Sequence, residues 1–91
     1  MSSVFNLSVS FFQEGDQVVA YVPVLDLSTC GKTFTEAKKR VNEVIEIFFE
    51  ELQKKKVVEE TLLELGWQKK RKQFISPTTI THETKQMAVS F

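Results

Sequence analysis

From Val4 to Phe12 the chain alternates, with Phe5, Leu7, Val9 and Phe11 on one side and Asn6, Ser8 and Ser10 on the other. A period of two carried by aromatic and β-branched residues predicts a half-buried strand. The polar stretch Gln13-Glu14-Gly15-Asp16-Gln17 follows, and Val18 to Val22 then reads as a second strand. The spacing predicts a hairpin with a short loop, in which Gly15 supplies a positive φ. Pro23 has no N–H, so it ends the second strand or lies at a sheet edge. Leu25 to Cys30 is extended enough for a short third strand, after which Gly31 frees the backbone to turn.

The period then changes to that of a helix. Thr33-Phe34-Thr35-Glu36 has the form of a capping box: the Thr33 hydroxyl accepts from the Glu36 N–H, and the Glu36 carboxylate reaches back to Thr33. A helix is predicted from Phe34 to about Lys55. At 100° per residue Phe34, Ala37, Val41, Val44, Ile45, Phe48 and Leu52 form one apolar stripe, which must cover the sheet. Acids at positions 36, 50 and 51 stand four residues before bases at 40, 54 and 55, the mark of a solvated face. Ile47 and Phe49 depart from the pattern. Either they widen the stripe or stand exposed singly, or they contact a subunit or partner. Val57 to Leu65 reads as a second, shorter helix with Gly66 as its stop. Trp67 follows at once, as an anchor to the core or as a partner hot spot. Beyond it, Met87, Val89 and Phe91 alternate with Ala88 and Ser90, which predicts a C-terminal strand in need of a partner edge, in this subunit or a neighbour.

These 91 residues are one domain's worth of chain. The organisation expected is an α+β core over 1–67, including the second helix, and a basic, Thr-rich extension over 68–91. Twelve basic and twelve acidic residues cancel, so no global field recruits nucleic acid or an anionic membrane. A single Cys30 forms no internal disulfide, which suits a reducing compartment. MSSVFNLSVSFF lacks a basic n-region, and no apolar run approaches the ~20 residues that span a bilayer. A soluble cytoplasmic protein is the expectation.

Catalytic and metal chemistry finds little to build on. Cys30 and His82 lie far apart without paired ligand spacing. There is no G-x-S-x-G turn, and Gly15, Gly31 and Gly66 are too scattered for a phosphate loop. A two-metal nuclease needs carboxylates converging from strands. The only aspartates are Asp16 and Asp26, and the glutamates gather on the solvated helix face. Neither an enzyme nor a cofactor site is expected. Lys69, Lys70, Arg71 and Lys72 are the one dense basic cluster, with Trp67 and Phe74 beside it. They make either a solvated loop or a phosphate-contacting site with stacking aromatics.

The run Ala20-Tyr21-Val22-Pro23, then Leu25-Asp26-Leu27-Ser28-Thr29, Gly31, Thr33 and Glu36-Ala37, resembles the core signature of HicB-type antitoxins, and LLELGW at 62–67 is similar to the tail of their short members. The resemblance covers roughly Val4 to Leu52. It implies a three-stranded antiparallel sheet, a crossing helix and a further strand, like a ribonuclease H fold trimmed of its active site. It also implies a non-enzymatic protein that binds a small HicA-like, mRNA-cleaving toxin by occlusion, as a homo-oligomer (dimer or tetramer). Tyr21, Ile47, Phe49 and Trp67 are the candidate contacts. Many members carry an added DNA-binding domain, whereas only about two dozen residues follow Trp67 here, with neither a helix-turn-helix nor a ribbon-helix-helix pattern. The rival readings are a stand-alone nucleic-acid-binding module using Lys69–Lys72, and an oligomer of this fold without a toxin partner.

Overall fold

The second strand is apolar on both faces and takes the centre of the sheet. In the computed structural model, which describes residues 5–90, β2 (Gln17–Val22) lies between β1 (Ser10–Glu14) and β3 (Leu27–Gly31) in an antiparallel sheet of order β1-β2-β3. Gly15-Asp16 is the turn of the first hairpin, bounded by the Glu14↔Gln17 pair. α1 (Phe34–Lys55) crosses one face of the sheet against β3 and β2, and α2 (Val58–Glu64) packs on α1. A short hairpin follows, β4 (Gln68–Lys70) with β5 (Gln73–Ile75). The α+β reading therefore holds.

The first strand begins later than the alternation suggests, at Ser10 instead of Val4, and runs on to Glu14. Val4 itself lies outside the described residues. The register explains the shift. Ser10 pairs with Tyr21, so Val9 and Ser8 would fall opposite Val22 and Pro23. There β2 gives way to a turn, held by Leu25 N–H to the Val22 carbonyl at 3.2 Å and Asp26 N–H to the Pro23 carbonyl at 3.3 Å. Residues 5–9 keep their alternation, with 5, 7 and 9 half-buried, but join no ladder. The same turn delays the third strand to Leu27 and makes Leu25 a buried plug.

α1 has the predicted bounds. Thr33 is its N-cap, its hydroxyl accepting from the Glu36 N–H at 3.1 Å. The expected reciprocal half of the capping box is replaced: Glu36 Oε1 pairs with Arg40 Nη2 at 2.8 Å, and Arg40 Nη1 donates to the Cys30 carbonyl at 3.0 Å. That pair ties the first turn of α1 back to β3. α1 and α2 end alike. At each end the N–H five residues on reaches back, Val57 to the Leu52 carbonyl and Trp67 to the Leu62 carbonyl, around a left-handed residue, Lys56 or Gly66. Gly66, at φ 92, is the stop anticipated.

The core is Ala20, Val22, Leu25, Ala37, Val41, Leu62 and Trp67, all buried, with no buried polar side chain among the described residues. Half-buried Phe5, Phe48, Phe49 and Phe74 pack around it. Two expectations for the C-terminal region are corrected. Lys69–Lys72 is a loop only in part, since Lys69 and Lys70 belong to β4 and Arg71 and Lys72 make the turn to β5, and residues 76–90 form no strand. Phe91 lies outside the described residues.

Candidate interaction surface

Because both helices lie on one side, the other face of the sheet is open. Side chains directly opposite one another across an antiparallel sheet share a face. Two cross-strand rows point away from α1: Ser10–Tyr21–Ser28 and Phe12–Val19–Cys30. Phe12 is 47% exposed, and Val19, Tyr21 and Cys30 are half-buried only by their neighbours in the sheet. The result is an apolar strip three strands wide with a phenol beside it. Phe12, Val19 and Cys30 were missed as candidates, although a signal existed. Every residue of Val18–Val22 is apolar or aromatic, and a strand apolar on both faces requires cover on both.

Tyr21 sits on this face with its hydroxyl donating to Asp26 Oδ1 at 3.2 Å. Asp26 occupies the left-handed end of the Pro23–Asp26 turn at φ 52, which swings its carboxylate toward the phenol. That hydrogen bond, aided by burial and the carboxylate's charge, raises the Tyr21 pKa above its usual 10.0. A raised pKa means that the folded state holds this proton more tightly than the unfolded chain. The associated stability is complete below the unfolded value and is lost as pH rises through the folded one. Tyr21 is the only tyrosine, so an ultraviolet phenolate titration reads it alone. The midpoint is expected above that of the unfolded chain in denaturant, and Asp26→Ala is expected to return it toward that of an ordinary tyrosine. An unchanged midpoint in Asp26→Ala would show the hydrogen bond absent in solution.

The other candidates do not converge with Tyr21. Ile47 stands on the solvent side of α1 at 58% exposure. Phe49 is turned inward: its ring stacks on Phe5 at 5.5 Å and meets Phe48 edge-on at 5.3 Å. Residues 5–9 widen the covered arc of the helix to include it. Trp67 is only 3% exposed, its indole Nε1 donating to the Val24 carbonyl at 2.8 Å and its ring edge-on to Phe5 at 5.4 Å. It is the anchor of the two readings, with no ring surface left to offer a partner.

In the basic hairpin, Lys69 Nζ pairs with Glu59 at 2.9 Å and lies 5.8 Å from the Phe74 ring centre. Lys70, Arg71 and Lys72 are exposed and form no ion pair among the described residues. Arg71 holds φ 59 at the turn. With Trp67 buried and Phe74 half-buried on the core, neither aromatic stands out for a base to stack on, which leaves the hairpin a phosphate-contacting tip at most. Among the described residues no cluster of three or more His, Cys, Asp or Glu side chains is arranged to hold a metal, and no helix is long and apolar enough to cross a membrane.

Comparison with known proteins finds no matching family model, no matching curated protein and no matching solved structure.

Proposed function

We propose that this chain is a HicB-like antitoxin, a cytoplasmic, cofactor-free binding protein that works as a homo-oligomer. It neutralises a small HicA-like, mRNA-cleaving toxin by covering that protein's catalytic and RNA-binding face. The observation carrying the proposal is the uncovered apolar strip Phe12–Val19–Cys30, with Tyr21 and Asp26 at its edge. A strip of this kind gains free energy when a partner removes it from water. The Asp26 carboxylate and the free lone pairs of the Tyr21 hydroxyl add acceptors suited to a basic protein surface.

Four residues of the HicB-like motif support the reading in a second way, since they have scaffold work. Pro23 and Asp26 make the turn, Gly31 admits α1, and Thr33 caps it. A motif spent on folding fits inhibition by occlusion, in which the antitoxin contributes shape and not chemistry.

The test is co-purification with the product of an adjacent small reading frame, followed by growth rescue. Val19→Lys is expected to weaken the complex by more than about tenfold, from loss of a buried apolar contact and a desolvated charge, with a nearly unchanged melting temperature. Rescue undiminished by Val19→Lys, but lost in Ile47→Asp, would move the contact to α1. With no complex and no rescue, the antitoxin reading falls. RNA or DNA binding abolished by charge reversal at Lys70, Arg71 and Lys72 would then establish the nucleic-acid reading.

A further inference from the structure

We infer that the segment Lys85–Ser90 of one copy adds as a strand to the free edge of a second copy, along residues 5–9, and that the exchange is reciprocal. This deepens only the self-association in the proposed function and is independent of any toxin.

The acceptor is an edge without a neighbour. β1 pairs on one side only, and residues 5–9, which alternate in burial as a strand would, pair on neither among the described residues. Between this segment and α1 runs a groove with apolar walls of Phe5, Leu7, Val9 and Ile45, rimmed by Asn42 and Glu46. Unpaired edges beside apolar grooves are where an extended segment gains backbone hydrogen bonds and side-chain pockets together.

The donor matches it. Residues 77–90 are all exposed, Met87 at 77% and Val89 at 66%, and join no strand in their own chain. In an extended segment Lys85, Met87 and Val89 fall on one face, which sets two apolar side chains over the groove and an ammonium toward Glu46. Glu46 has no ion-pair partner among the described residues. Met87 is the most adaptable apolar side chain for an irregular slot.

The path of the tail selects a second copy over the chain's own edge. Ser76 lines a cleft with Phe5 and Asn6, so the tail leaves the body at the start of the acceptor segment. Antiparallel pairing with its own residues 5–9 would need the tail to overshoot Val9 and reverse. No such reversal is made: residues 77–90 stay exposed and join no strand of their own chain. Run straight, nine residues carry Lys85 about 30 Å onward, past its own edge. The radius of gyration agrees: 15.8 Å, against about 12 Å for a compact chain of this length. Two such tails exchanged about a two-fold axis close the assembly with identical contacts.

The experiment is sedimentation equilibrium of the full chain alone, with hydrogen exchange of the tail amides. The expected result is a dimer in which residues 86–90 are protected and lose protection on dilution. Met87→Asp/Val89→Asp is expected to weaken the dimer at least about a hundredfold, because two groove contacts are replaced by charges. Lys85→Glu is expected to weaken it several-fold, and Lys85→Glu/Glu46→Lys to restore it, which a merely structural role for either residue would not do. A dimer indifferent to these changes would keep self-association but overturn this interface. A monomer at every concentration would overturn both. Tail protection independent of concentration would assign the strand to its own chain and equally overturn the exchange. None of these outcomes bears on toxin binding.

Discussion

Replacing Trp67 by alanine is expected to destabilise the fold by about 4 kcal/mol, the range seen for large aromatic truncations in cores. Trp67 joins three parts of the chain that are remote in sequence. Its ring is buried against the core and meets Phe5 of the N-terminal segment, its backbone N–H closes the end of α2 on the Leu62 carbonyl, and its indole donates to Val24 in the turn after β2. Truncation leaves a cavity beneath Phe5 and an unsatisfied carbonyl at Val24. Trp67→Phe separates the two losses. It keeps most of the ring volume but removes the donor, so it should cost about 1–3 kcal/mol. Urea denaturation measures both, with the midpoint falling and the slope unchanged. A cost below about 1 kcal/mol for Trp67→Ala would mean that the indole is not buried in solution and would restore it as a partner contact. As the only tryptophan, it also reports its own burial through its emission wavelength in the unaltered chain.

What could be read in advance divides along the range of the interactions involved. α1 was legible to its bounds because its signals are local: Thr33 at the cap, a stripe of period 3.6, and acids ahead of bases. The first hairpin was legible for the same reason. The start of β1 was not, because whether residues 5–9 pair depends on where β2 turns away, and Pro23 shows that only once the register is known. Whether Phe49 widens the stripe or meets a partner was left open by the same non-local fact, since the chain covering it comes from Phe5, 44 residues earlier. The second hairpin was hidden by its turn: Arg71 holds a positive φ where glycine or asparagine would have signalled one. Of the candidate surface, Tyr21 was identified. Phe12, Val19 and Cys30 were not, because which side chains share a face with Tyr21 follows from the strand register, a non-local fact.

Gly31→Ala is expected to cost about 3 kcal/mol or more, for a reason unlike that of Trp67. A Cβ at residue 31 would stand 2.6 Å from the Ala37 backbone nitrogen, and 3.0 Å from both the carbonyl carbon and the Cβ of Glu36. The nearest atoms belong to the main chain of the first turn of α1, so no rotamer change relieves the clash. Either the helix or β3 must move. The first turn is held by the Thr33 cap and by the Arg40 bridge from Glu36 to the Cys30 carbonyl, one residue before the glycine. Shifting α1 outward therefore strains those polar contacts and lifts Ala37 and Val41, both buried, off the sheet. Overpacking ordinarily costs about 1–3 kcal/mol. Here backbone meets backbone and caps are lost as well, so the upper end or beyond is the reasonable figure. Against a total stability of about 5–14 kcal/mol for a chain of this size, the change should lower the urea midpoint sharply. Ala37→Gly in the same background makes the argument specific. The contact is to the nitrogen of residue 37 and not to its methyl group, so the second change should restore nothing. Recovery of stability in that double variant would mean that the side chains, and not the two backbones, set the distance between β3 and α1.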